Sequence, residues 1–140
     1  MAVERQAPDV LAMILADNVL RDIGTGKLFI QGTYSVIVAK EFPLNYPSIV
    51  VYAAITNGHG QTDLELRLVD VDEEREPLAV SKLRINFRDP LVVADAVFVL
   101  TPVTFPEPGE YRIQLRGAGH PLRERRLHVL PIPTPPAQGA

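Results

Sequence analysis

The stretch Thr62–Asp70, TDLELRLVD, decides the fold class. Leu64, Leu66 and Leu68 alternate with Asp63, Glu65 and Arg67. That period of two sends the leucines to one side of an extended chain and the charges to the other, the signature of a half-buried antiparallel strand. Wound as a helix, the same residues would put leucines and charges on every side.

Two further segments repeat the pattern. Ser81–Arg88 sets Leu83, Ile85 and Phe87 against Lys82, Arg84, Asn86 and Arg88, and Glu110–Arg116 sets Tyr111, Ile113 and Leu115 against Arg112, Gln114 and Arg116. The phase shifts between Val80 and Leu83, which predicts a β-bulge there. Ser48–Asn57 and Ala94–Thr101 are β-branched and apolar at both parities, as strands covered on both faces are. Leu28–Val38 reads as one strand with Leu28, Ile30, Tyr34, Val36 and Val38 on one face and Gly32 as a bulge or close-packing point. Leu122–Leu130 returns from a turn at Gly117–Pro121 to close a hairpin, and Val71–Pro77 is a polar turn between two more strands.

The segment Val10–Asp22 is open to two readings. Asp9 could cap a helix that Gly24 ends, or the segment could be a strand turning at Gly24-Thr25-Gly26. Its β-branched and leucine content favours the strand. The sum is about eight strands divided by Pro- and Gly-rich turns. This predicts an all-β protein, an antiparallel β-sandwich of immunoglobulin-like or C2-like type. The expected organisation is an N-terminal extension over 1–7, the sandwich domain over 8–130 and a Pro-rich tail, PIPTPPAQGA, over 131–140.

Two stretches, LADNVLRDIGTGKLFIQGTYSVIVAKEFP from Leu15 and FPEPGEYRIQL from Phe105 with its return to LHVLP, resemble an uncharacterised family of small single-domain bacterial proteins. The resemblance covers most of Pro8–Pro131 and implies a β-sandwich with a hairpin at Gly24–Gly26. It implies no activity and carries over no functional residue. Pro108-Gly109-Glu110-Tyr111 also looks like a motif of immunoglobulin-like sandwiches, in which an early tyrosine ties its hydroxyl to nearby backbone.

Composition narrows the functional classes. The chain has 140 residues, enough for one domain with a full core, and no cysteine, which excludes disulfides and thiolate metal sites. The absence of cysteine and of a secretory leader pattern gives an expectation of the cytoplasm, and no apolar run approaches the roughly 20 residues of a transmembrane helix. Net charge is −3, with no global case for nucleic acid. Hydrophobic residues make up 46% and mean hydropathy is +0.08, so either the core is unusually complete or another subunit covers apolar surface.

Local chemistry is sparse. His59 and His120 fall in turns and His128 sits between core-facing Leu127 and Val129, so the histidines suggest no triad and the chain is expected not to be an enzyme. Gly24-Thr25-Gly26-Lys27 is a turn and not a phosphate loop. No cofactor is implied.

Two charged features remain as a candidate interaction surface. Asp70, Asp72, Glu73 and Glu74 make an acidic turn, whose alternative reading is a Ca²⁺-dependent lipid- or carbohydrate-binding loop. Arg112 and Arg116, with Arg123, Arg125 and Arg126 on the partner strand, make an arginine hairpin. Its Glu110 and Glu124 and its lack of exposed aromatics argue against single-stranded nucleic acid. The expected function is a non-catalytic protein-interaction or structural module, binding a protein partner or itself. In the self-binding form, the arginine hairpin of one subunit meets the acidic turn of the next.

Overall fold

The computed structural model describes residues 7–72 and 75–133, and every regular element among them is a β-strand. Among the described residues there are eleven strands. β1 (Asp9–Arg21), β2 (Leu28–Thr33), β5 (Ile49–Thr56) and β8 (Ala94–Leu100) form one sheet in the order β2-β1-β5-β8. β3 (Val36–Ala39), β6 (Gly60–Asp70), β7 (Ala79–Phe87), β10 (Gly109–Gly117) and β11 (His120–Pro131) form a second, ordered β3-β11-β10-β6-β7. β4 (Leu44–Tyr46) pairs only with β9 (Val103–Phe105).

The two larger sheets turn their inner faces into one core. Leu15, Val51, Ala53 and Phe98 come from the first, and Leu66, Leu68, Ile113 and Leu127 from the second. Each is fully buried, and burial of a Leu, Ile or Phe side chain contributes about 1.5–3 kcal/mol. Val103 and Phe105 of β9 complete the core at one end. Tyr111 packs edge-on to Phe105 with ring centroids 4.9 Å apart, and its hydroxyl donates to the Glu107 carbonyl at 2.6 Å. The anchoring tyrosine expected from Pro108-Gly109-Glu110-Tyr111 is therefore present.

Several expectations need correction. Leu28–Val38 is not one strand. It is divided at Tyr34-Ser35 into β2 and β3, which belong to different sheets, and the phase reverses across the break. Ile37 and Ala39 are buried while Val36 and Val38 are exposed. β3 runs parallel to β11, so the second sheet is mixed rather than antiparallel. The bulge expected between Val80 and Leu83 is absent. The β6–β7 ladder is continuous from Gly60↔Phe87 to Leu68↔Ala79, with Ser81 taking an inward position and Val80 an outward one. The register shift of the first sheet lies instead in β1, between Val10 and Ala12.

The segment expected over 10–22 is strand from Asp9 to Arg21, as its composition favours. β4 and β9 escaped the sequence pattern because three residues between prolines carry no period. Each begins just after a cis X-Pro bond, Phe42-Pro43 and Thr101-Pro102. At the far end β11 continues through Pro131, and the Ile132 N–H donates to the Ala39 carbonyl at 3.0 Å, so the first residues of the expected tail belong to the sheet. Residues 134–140 and 1–6 of the expected tail and extension lie outside the described residues.

Candidate interaction surface

The register of the β10–β11 hairpin divides the five arginines. Arg112 pairs with Arg126 and Gln114 with Glu124, on the face turned away from the core. Arg123 is opposite Leu115 and Arg125 opposite Ile113, so these two occupy core-side positions. The outward patch is thus Arg112, Arg116 and Arg126, and it is interleaved with acids. Arg112 lies 3.2 Å from Glu124 and 3.8 Å from Glu110, and Arg126 lies 3.5 Å from Glu110. Glu110 also lies 3.8 Å from the outward-facing His128. On the neighbouring strand Glu65 hydrogen-bonds Arg67, which holds its carboxyl below the usual carboxylate range. Arg84 and Asp63 pair at 2.7 Å across β6 and β7. This face is a mixed-charge lattice of exposed pairs, each worth little to stability.

Arg125 has a different task. Its guanidinium donates to the Met13 carbonyl of β1 and to Ser35 Oγ, both at 2.8 Å. β2 pairs with β1 only over Ala16–Arg21, so Met13 has no strand neighbour on that side, and Arg125 supplies the missing donor from the opposite sheet. It clamps the two sheets together at their open edge.

The acidic turn is also internally engaged. Asp70 lies 3.3 Å from Arg75, and Arg75 reaches the Glu107 carboxylate at 2.6 Å. Asp72 is exposed; Glu73 and Glu74 lie outside the described residues. Among the described residues no group of three or more His, Asp or Glu is placed to hold a metal ion. Asp70 pairs with Tyr111 and Val69 with Arg112, so the acidic turn and the arginine hairpin are neighbours on adjacent strands of one sheet. His59 and His120 are exposed in or beside turns.

The other sheet turns an apolar face away from the core. The β1–β5 and β5–β8 registers align Ala12, Ile14 and Ala16 of β1 with Ala54, Tyr52 and Val50 of β5. Those β5 residues align in turn with Asp95, Val97 and Val99 of β8, all pointing away from the core. Ala16, Val50 and Ala54 are buried without belonging to the core cluster, which makes this a second apolar face. Asp95 carries the only charge at these positions and accepts a 2.6 Å hydrogen bond from the Tyr52 hydroxyl.

The same face runs on into an arm. β1 leaves β5 after Ala16↔Val50 and continues paired only with β2, through Leu20↔Phe29 to Arg21↔Leu28. No residue between 17 and 33 belongs to the core cluster or packs against it. Leu20 is 45% exposed, Phe29 56%, and Ile23 at the tip is fully exposed. The tip itself is ordered by hydrogen bonds. Asp22 accepts from both the N–H and the hydroxyl of Thr25, at 2.8 and 2.7 Å, and exchanges backbone bonds with Gly26 and Lys27. Arg21 caps the Gly26 carbonyl at 2.8 Å. These bonds lower the Asp22 carboxyl from its ordinary value, the Thr25 hydroxyl acting most strongly.

Sequence reading missed both arm and apolar face. The signal was apolar residues at both parities of 10–30, which a composition of 46% hydrophobic residues already hinted had to be covered by something.

Fold and surface together define an all-β protein with one charged sheet face and one apolar one. The chain matches, over residues 11–130, the model of a family of unknown function, DUF6941. The match spans most of the chain, and the protein belongs to that family. A search of curated proteins finds none that matches it. Among the described residues no helix is long and apolar enough to cross a membrane.

Proposed function

We propose that this chain is an immunoglobulin-like β-sandwich serving as a non-catalytic structural module in the cytoplasm, and that it self-associates through its β2-β1-β5-β8 sheet. The observation that carries this reading is the apolar outer face of that sheet and its continuation into the arm. Contiguous apolar surface of this kind on a water-exposed domain marks a contact site. The scarcity of charge matters as much as the apolar content. The one carboxylate at the aligned positions, Asp95, is held by the Tyr52 hydroxyl, whereas the arginine face is already balanced by its own glutamates.

The test is the mass of the full chain in solution, by size-exclusion chromatography with light scattering across concentration and salt. An apolar contact survives high salt, unlike an exchange of surface charges. Val97→Lys and Val99→Lys, at exposed or half-exposed positions, should reduce the assembly to single chains. A single-chain mass for the native protein at every concentration overturns the proposal.

A further inference from the structure

We infer that the free edge of β2 makes a further contact in that self-association, beside the one through the apolar face, pairing antiparallel with β2 of a second copy across a two-fold axis. The inference rests on the self-association reading and goes on to name the strand that makes the contact. β2 is an outermost strand of its sheet, and among the described residues its only strand neighbour is β1.

Sheet edges that must stay unpaired carry charges, prolines or very short strands. The other edges follow that rule. β7 presents Lys82 and Arg84, and β3 is four residues long. β8 carries a charge in the exposed Asp95. β2, LFIQGT, has neither charge nor proline across its six residues. Its edge offers unpaired backbone groups and nothing to repel a copy of itself.

The arm supplies a second reason. Between Asp17 and Thr33 each strand has a single neighbour, and a two-stranded ribbon alone is only marginally stable in water. Two arms joined edge to edge make a four-stranded sheet. With the two-fold axis through Ile30, the Ile30 side chains of the two copies meet. Phe29 then stands opposite the partner's Gln31, and the two apolar outer faces join into one. An isologous contact of this kind closes on itself and gives a dimer.

The native absence of cysteine makes the test direct. Single cysteines at Leu28, Phe29, Ile30 and Gln31 in the full chain are oxidised under dilute conditions and scored for covalent dimers, with Arg84→Cys on the β7 edge as the comparison. Ile30→Cys should cross-link best, with the yield falling on either side, and Arg84→Cys should not. In parallel, Phe29→Lys/Gln31→Lys should weaken association by about tenfold or more, since like charges across paired strands repel. An assembly that forms normally while no β2 cysteine cross-links, or while Arg84→Cys does, overturns β2 pairing and leaves self-association through another surface standing. A native chain that stays single at every concentration overturns both.

Discussion

Gly32 of β2 stands directly against the Asp17 carboxylate of β1: a Cβ built on Gly32 would lie 2.5 Å from Asp17 Oδ2 and 3.0 Å from its Cγ. Gly32 also has φ of +69°, a left-handed conformation that costs most side chains about 1–2 kcal/mol. The pair sits where the arm leaves the body, and a side chain at position 32 would have to displace the Asp17 carboxylate. Gly32→Ala should therefore loosen the arm while leaving the core transition nearly intact. Hydrogen exchange should show lost protection over Asn18–Leu20, with little change in the amides of β5 and β6. Adding Asp17→Ala relieves the clash but not the φ, so the double variant should recover only part of the protection.

Arg125 should be the costliest of the five hairpin arginines to remove. Its loss strands the Met13 carbonyl at the sheet edge and breaks two 2.8 Å bonds from a charged donor. Arg125→Ala should destabilise by about 1.5–3 kcal/mol in a denaturant titration. Arg123→Ala, on the same strand and exposed, should stay within about 0.5 kcal/mol. Equal effects from the two would mean that the bond to Met13 contributes nothing.

Tyr111→Phe isolates one hydroxyl. The ring keeps its core position against Phe105, and only the bond to the Glu107 carbonyl is lost. The expected cost is about 1 kcal/mol, near the middle of the range for one neutral hydrogen bond. For a domain of this size it should appear as a fall of roughly 3–5 °C in the melting midpoint.

Strand identity was legible in the sequence wherever one face is wet. Leu64, Leu66 and Leu68 against Asp63, Glu65 and Arg67 could be read at once, because burial on one side and water on the other write a period of two. The Tyr111 anchor was legible from its local Pro-Gly context. What failed to show was register and partnership. Arg123 and Arg125 look like members of a basic surface until the hairpin pairing puts Leu115 and Ile113 opposite them, and pairing depends on a turn shift at Leu115/Arg116 that the residues do not announce. The break at Tyr34-Ser35 was hidden for a similar reason. β2 and β3 are both rich in β-branched residues, and only their different sheets separate them. The apolar face was invisible as a surface, because Val50 and Ala54 read as core until the register turns them outward.

Asp22 gives the arm an acid limit. Its carboxyl is lowered by the Thr25 hydroxyl and then the Thr25 N–H, so the ionised form is favoured in the folded tip. A depressed folded value means that the contribution is complete above the unfolded value and disappears as pH falls through the folded one. The tip should therefore loosen only below the ordinary carboxylate range. Asp22→Asn should abolish that acid step in exchange measurements of Thr25 and Lys27, without altering the core transition.

Tyr52 and Asp95 set the alkaline limit of the apolar face. The Tyr52 hydroxyl donates a 2.6 Å hydrogen bond to the Asp95 carboxylate, which pushes the phenol from 10.0 up to about 12. Here the folded value is raised, so the contribution is complete below the unfolded value near 10. It declines as pH rises through about 12, and stability should fall across that window. Tyr34 and Tyr111 are also raised, chiefly by burial, so phenolate absorbance should show several late-titrating tyrosines, of which Asp95→Asn returns only Tyr52 toward its ordinary value. The same substitution separates charge from shape at the contact face. Because the bond to Tyr52 already holds the only carboxylate at these outward positions, Asp95→Asn should leave the assembly mass unchanged at neutral pH, while Val97→Lys on the same strand should dissolve it. Loss of assembly on Asp95→Asn would show that the face meets a cationic surface, and the apolar contact would then be wrong.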